Sequence, residues 1–291
     1  MPHRLQIGLV FAAPVVLLVG IYALGTALGM GRPEAGSTYA VRIELPEPGR
    51  PVGLPSVQGP ADPERPLVVI DPGHGGHDPG AKDEGVEEKA LTLALAKALR
   101  DELLDAGGIR VALTRDDDRF LVLEERSEIA RQLGADLFLS IHADSAGESD
   151  EVSGASVYTL SARASSQAAA IFAARENSAD VVNGVPLAGR EDSVSAILVE
   201  LSQRRAQAQS DEFASLILRE GRGRLTFHPQ ARRSAALVVL RAPDVPSTLF
   251  EAGFVSNPQD AGRLASPEGQ RRFAEAMARA IRVYFARQSG A

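Results

Sequence analysis

Leu67-Val68-Val69-Ile70-Asp71-Pro72-Gly73-His74-Gly75-Gly76, residues 67–76, decides the fold class. Four apolar residues in a row suit a strand buried on both faces. The run stops at a carboxylate, a proline and a glycine-rich turn that carries a histidine. Working outward, Glu88 to Ala106 places Leu91, Leu95, Ala98, Leu99 and Leu103 at helical spacing, and Gly107-Gly108 closes that helix. Val111-Ala112-Leu113-Thr114 reads as a second strand, residues 122–134 as a helix ending at Gly134, and Leu137-Phe138-Leu139-Ser140-Ile141 as a third strand. Ser156 to Leu160 reads as a fourth. Alanine-rich helical sequence fills most of 164–223, two more strands are predicted at 235–240 and 247–250, and an amphipathic helix at about 267–287. Alternation of this kind predicts an α/β domain: one mainly parallel twisted sheet of about six strands, helices on both faces, and a helical insertion at about 161–230.

Upstream the sequence changes character. Residues 7–30 carry no charge, follow Arg4, and are long enough to span a bilayer. No clear cleavage site closes them, although Thr26-Ala27-Leu28-Gly29 is a weak one, so residues 1–30 read as an uncleaved signal anchor in preference to a cleaved signal peptide. Either reading sends the rest of the chain across the inner membrane into the periplasm. Residues 31–66 hold eight prolines and no helical period, which predicts an extended linker. The catalytic domain is expected at 67–291.

Composition narrows the chemistry. The net charge of -7 argues against a general nucleic-acid binder. Without cysteine there are no disulfides, thiolate metal sites or thiol nucleophiles, so a metal site must draw on His, Asp and Glu. The histidines are His3, His74, His77, His142 and His228. In parallel sheets sites form beyond the carboxyl ends of the strands. His74 follows the first strand, His142 the third and Glu251 the last, and Glu88 opens the helix that returns to the same rim. Each has a plainer reading. His74 suits a turn, His142 a satisfied partly buried imidazole, and Glu88 a carboxylate favoured by a helix N-terminus, with Glu87 competing beside it. Glu251 is harder to set aside, because a carboxylate after an apolar strand is costly unless paired. Residue types alone support a metal-dependent hydrolase and no more.

Four ordered segments carry a resemblance: Val69 to Gly76, Glu88-Lys89, Ser140-Ile141-His142-Ala143-Asp144, and Leu249 to Asn257 with its Glu251-Ala252-Gly253-Phe254. Together they resemble the zinc-dependent N-acetylmuramoyl-L-alanine amidases of the AmiA/B/C type, from about residue 67 to the C-terminus. Thr114-Arg115 and the stretch from Ser165-Ser166 to Asp180 resemble the periplasmic division branch. The resemblance implies one zinc ion held by His74, Glu88 and His142, with Glu251 catalytic, and peptidoglycan as substrate. Asp71 is expected to support a ligand or fix the turn, and Arg115 to bind a substrate carboxylate or cap the sheet edge. The family also implies that a helix in the insertion covers the metal. Glu176 in Arg175-Glu176-Asn177-Ser178 matches the inhibitory metal contact, and about Asp192 to Arg205 is expected to be gripped by a LytM-domain activator protein. The chain is read as a monomer. It lacks room for the β-rich targeting domain that many such enzymes carry before the catalytic domain. A different class of reading is a catalytically silent anchored module that binds peptidoglycan or a division protein; the intact ligand set and Glu251 argue against it.

Overall fold

The apolar run at 67–70 is the second strand from the edge of a six-stranded sheet, with a parallel neighbour on each side. The structure, a computed structural model, describes residues 53–290 except 84, 148, 180, 183–184 and 187–195. The expected signal anchor and most of the expected linker therefore lie outside the described residues. No helix among the described residues is long and apolar enough to cross a membrane.

In chain order, β1 (Leu67–Pro72) leads through the short ribbon β2 (Lys82–Asp83) and β3 (Val86–Glu87) into α1 (Glu88–Ala106). Then come β4 (Arg110–Leu113), α2 (Leu123–Gln132), β5 (Leu137–Asp144) and β6 (Ala155–Leu160). The insertion holds α3 (Gln167–Glu176), the hairpin β7 (Val181–Val182) and β8 (Val185–Pro186), and α4 (Ala196–Glu220). β9 (Phe227–Ala235), β10 (Ser247–Phe254), α5 (Pro258–Ala265) and α6 (Pro267–Gln288) complete the fold. Sheet order is β4-β1-β5-β10-β6-β9. The first four strands are parallel, and β6 and β9, parallel to one another, run against them.

Alternation along the strands divides the core in two. Val68, Ile70, Leu139, Ile141 and Phe250 face α1, α4 and α6 through Leu95, Leu99, Phe213, Ile217, Phe273 and Ile281. Val69, Phe138, Tyr158 and Leu249 face α2 and α3 through Leu123, Ala130, Ala169 and Phe172. Helices thus cover both faces, which is why β1 and β5 have no polar alternation.

The edge strand beside β6 differs from expectation. The run Leu237-Val238-Val239-Leu240, predicted as a strand, supplies a 3-10 turn over Val238–Leu240 with Val239 and Leu240 buried. The strand itself is Phe227–Ala235, an edge strand whose sequence FHPQARRSA is mostly polar and half exposed. Apolar character marked burial there, not extension. At the other edge, Gln58, inside the segment read as linker, bridges Val111 of β4: its N–H donates to the Val111 carbonyl at 2.8 Å, and Val111 N–H donates back at 2.9 Å.

One buried polar knot joins four segments below the site rim. Asp71, wholly buried, accepts from Thr114 Oγ1 at 2.6 Å and Ser140 Oγ at 2.7 Å, and pairs with Arg126 Nη1 at 3.0 Å. Burial acts to raise the Asp71 carboxyl, but the Arg126 guanidinium and the two hydroxyls outweigh it and hold it below its ordinary value. Removing one member of a buried pair strands the other, so Asp71→Asn is expected to lower stability by about 3–5 kcal/mol at neutral pH. A depressed carboxyl contributes stability above its unfolded pKa and loses it on acidification, so the gap between wild type and variant should close below pH ~4. Urea unfolding at pH 7 and in acid measures both; a neutral-pH loss under about 1 kcal/mol would show the pair to be dispensable.

Candidate metal centre

β1, β5 and β10 end together, and the residues just beyond or within their last turns converge. His74 stands two residues past β1, His142 lies in β5, and Glu251 pairs with it across the β5–β10 ladder. Glu88 is the first residue of α1, and Glu176 is the last of α3. All five are buried.

The His74 turn is unusual for its backbone. His74 has φ 59°, a left-handed conformation that non-glycine residues adopt at a cost. Two arginines hold it there. Arg126 donates to the carbonyls of Pro72 at 2.9 Å and His74 at 2.9 Å. Arg115, wholly buried, donates from Nε to Pro72 O at 3.0 Å, from Nη1 to Asp117 O at 3.0 Å, and from Nη2 to Gly73 O at 2.7 Å and Lys89 O at 3.0 Å. Every nitrogen of Arg115 is engaged with a carbonyl, so the expected substrate-carboxylate role is set aside and Arg115 acts as a clamp on the loop. Asp71 fixes the turn through Arg126 and touches neither imidazole. Two glycines leave room for the ligands: a Cβ at Gly73 would lie 2.5 Å from the His142 ring, and one at Gly80 2.5 Å from Glu88 Oε2.

The ligand atoms face one another. Glu88 Oε1 is 3.1 Å from His74 Nε2 and 3.1 Å from His142 Nδ1. Glu176 Oε2 is 3.5 Å and 3.2 Å from the same two nitrogens. A tetrahedral zinc with bonds of about 2.0–2.1 Å needs ligand atoms about 3.3–3.4 Å apart, and these four distances bracket that edge. His74, His142 and Glu176 offer ligand atoms all within 4.8 Å of one another; the contacts of Glu88 Oε1 add a fourth. His74 Nε2 is buried and makes no hydrogen bond of normal geometry, an orphan that a metal would satisfy. The residues therefore fit a zinc ion.

Supporting contacts set orientation. His74 Nδ1 is 2.7 Å from Asp78 Oδ2; donation there turns the Nε2 lone pair toward the centre. Glu88 accepts from Ala143 N–H and Ala81 N–H, each at 2.8 Å. Glu87, the rival for its role, pairs outward with Lys82 at 2.7 Å. His77 packs on the Phe120 ring at 4.2 Å and stays outside the cluster, and His228 lies on β9. Asp78 was not singled out in the sequence; its only signal there is position, four residues past His74.

Charge balance explains the protonation. Burial disfavours the charged imidazoles, but the Glu88 charge and the Asp78 bond push His74 up to about 9. Glu176 and Glu88 overcome burial to push His142 up to about 10. Against burial, the imidazoles hold Glu88 well below and Glu176 below the ordinary value. Glu251 behaves oppositely: burial, then Asp144, Glu88 and Glu176, raise it far above the ordinary carboxyl range, with Arg175 opposing. Both its oxygens are buried without a hydrogen-bond partner.

α3 is fastened over this centre at several points. Ser166 caps its start by accepting from Ala169 N–H at 3.1 Å. Arg175 pairs with Asp144 and donates to Ser145 O at 3.0 Å. Asn177, just past its end, donates to Ala236 O at 2.8 Å and accepts from Val238 N–H at 2.9 Å. A cavity of about 560 Å³ opens beside Glu176, lined by His74, His77, Asp78, Glu88, Ser145 and Arg175 among others.

Known proteins agree with this geometry. The family model for N-acetylmuramoyl-L-alanine amidase, Amidase_3, matches residues 68–283. The chain is 40% identical over 221 residues to the N-acetylmuramoyl-L-alanine amidase AmiA of Salmonella typhimurium, covering 75% of this chain and 76% of that one. It is 36% identical over 257 residues to AmiC of Neisseria meningitidis, covering 87% of this chain but 58% of that longer one. The solved N-acetylmuramoyl-L-alanine amidase AmiC2 of Nostoc punctiforme superposes with a TM-score of 0.54 at 31% identity, over 76% of this chain and 98% of that one. With the family model matched over residues 68–283, which include every motif-bearing strand end, this chain belongs to the N-acetylmuramoyl-L-alanine amidases of the AmiA/B/C type.

Proposed function

We propose that the chain cleaves the amide between N-acetylmuramic acid and the L-alanine of the peptidoglycan stem peptide with zinc held by His74, Glu88 and His142, and that Glu176 keeps it silent until α3 is displaced. The observation that carries this reading is that Glu88 and Glu176 each face both imidazole nitrogens, at four distances of 3.1–3.5 Å that suit edges of a tetrahedral zinc site. Zinc at this site would supply Lewis acidity, lowering the pKa of a water toward ~7 and polarising the amide carbonyl.

The chain's own groups do the rest. Asp78 holds the His74 tautomer. Backbone amides of Ala81 and Ala143 hold Glu88. The charge of a bound zinc would offset the raised proton affinity that Glu251 has in the metal-free site; ionised in this way, Glu251, neighbour of His142 in the ladder, takes the proton of the attacking water and delivers it to the nitrogen that leaves. Its raised proton affinity suits the delivery, because an amine leaves poorly unprotonated. Glu176 occupies the place a water needs.

Displacement of α3 requires a partner that binds the open state better than the closed one. Moving a population from 1:99 to 99:1 takes about 5.5 kcal/mol of such preference. A LytM-domain protein is the proposed partner. Its expected landing region, about Asp192 to Arg205, lies partly outside the described residues. Action in the periplasm during cell division, anchored by residues 1–30, completes the reading; a reporter fused after residue 60 tests that topology.

Three outcomes are expected. In the Glu176→Ala background, where the site is open, Glu251→Gln should keep stoichiometric zinc and lose about a hundred- to ten-thousand-fold in turnover on purified peptidoglycan, while His74→Ala and His142→Ala lose the metal itself. Near-native turnover of the first variant would remove Glu251 from the mechanism. Glu176→Ala should be more active than wild type without any partner; equal rates would leave Glu176 a mere helix charge. Third, both imidazoles are protonated at pH 7.5 when metal-free, with values of about 9 and about 10, and both must be neutral to bind metal. Zinc uptake should therefore expel about two protons, and apparent affinity should fall about a hundredfold per pH unit on acidification. Calorimetry in buffers of different ionisation heat counts the protons, and a count near zero would contradict the protonated cage.

A further inference from the structure

Arg233 is a buried cation without an anion. It lies on β9 with 8% of its surface exposed. Its Nε donates to Gln230 O at 2.9 Å, its Nη1 to Tyr158 Oη at 3.1 Å, and its Nη2 to His228 Nδ1 at 3.0 Å. No carboxylate pairs with it among the described residues. Arg126 is matched by Asp71, and Arg115, which has no carboxylate either, points every nitrogen at a backbone carbonyl; the terminal nitrogens of Arg233 instead meet a hydroxyl and an imidazole. Its escorts are neutral. Burial and then the Arg233 charge lower the His228 imidazole, and burial raises the Tyr158 hydroxyl.

The place of this cluster gives it meaning. Tyr158 pairs with Leu249 and Ser156 with Glu251 across the β6–β10 ladder, so Tyr158 shares the sheet face of Glu251. Arg233 pairs with Tyr158 on the next strand. α3 covers this same face, with the Phe172 ring 4.5 Å from that of Tyr158. Strand spacing puts the backbone of Arg233 about 12 Å from that of Glu251, two strands over and two residues along. An extended peptide advances about 3.3–3.6 Å per residue. A carboxylate one or two residues beyond the scissile amide can therefore reach a guanidinium on that side chain.

We propose that Arg233, with Tyr158 Oη and His228 beside it, forms a subsite for a free carboxylate on the peptide side of the substrate, uncovered when α3 lifts. The proposal rests on the reading that α3 covers the catalytic face. It makes the enzyme selective for peptides whose carboxylate is free over those in which it is a carboxamide.

The test uses the full chain with its zinc, in wild-type and Glu176→Ala forms, and two synthetic muramoyl peptides that differ only in a terminal carboxylate or carboxamide. Arg233→Gln should raise KM for the acid about 10- to 100-fold, leave kcat nearly unchanged, and leave the carboxamide substrate within about twofold. Arg233→Lys, which keeps a cation, should recover part of the preference. Binding of the released free-acid peptide to the Glu176→Ala form, measured by calorimetry, should weaken by a similar factor in Arg233→Gln; this readout needs no turnover. Equal losses on both substrates, or none, would reduce Arg233 to a tie between β9 and β6 and overturn the subsite. If Glu176→Ala is no faster than wild type but Arg233 still governs the acid preference, the covering role of α3 falls and the subsite stands.

Discussion

Asp71 ends β1 with its carboxylate wholly buried, and Thr114, Ser140 and Arg126 converge on it from three other elements. Arg126 is thereby held where Nη1, the nitrogen on Asp71, also donates to the Pro72 carbonyl and Nη2 donates to that of His74. The left-handed backbone of His74 persists because that grip, with the Arg115 clamp beside it, leaves the loop no cheaper conformation. Everything at the metal centre follows from this restraint. It aims one imidazole nitrogen inward, leaves the other to Asp78, and sets the first corner against which His142 and Glu88 are positioned. A metal site built on a loop is precise only if the loop is held from behind, and here two buried guanidinium groups do the holding.

The centre gathers two buried imidazoles and three buried carboxylates, with Asp144 nearby. Burial alone would drive protons onto the acids and off the bases. The geometry sorts them instead. Glu88 and Glu176, each in contact with both imidazoles, stay ionised; Glu251, which has no hydrogen-bond partner and faces like charges, is driven toward its neutral form. Two kinds of carboxyl thus stand side by side, one suited to hold a cation and one to hold a proton. Glu176 belongs to the first kind although it arrives on a helix from the insertion. Its helix is held to the body by Arg175, Asn177 and Phe172, each a contact that an opening motion would break.

Much of this could be read in the sequence, for a physical reason. His74, His142 and Glu251 follow apolar runs that make strands, and parallel strands end on one rim, so their convergence is a matter of topology. Glu88 came from the helix that returns to that rim, and Glu176 from its likeness to a known motif. What stayed hidden depends on side-chain packing. Arg126 sits in an unremarkable amphipathic helix, and nothing in its neighbours announces that it reaches Asp71. Asp78 and the Arg175–Asp144 pair are likewise tertiary facts. The edge strand β9 is hidden in the sequence because its own residues are polar while the apolar run after it forms a buried 3-10 turn. The sequence leaves Arg115 open between a substrate carboxylate and a cap on the sheet edge; burial and five partners make it part of the scaffold.

The central claim is that four protein groups close the metal site in the resting enzyme. X-ray absorption at the zinc edge of the purified, partner-free protein, with the exchange of any bound water followed on a cobalt-substituted sample, tests it most directly. The account predicts two imidazole nitrogens and two carboxylate oxygens at about 2.0–2.1 Å and no exchangeable water. Three protein ligands with one exchangeable water in the resting wild type would contradict it.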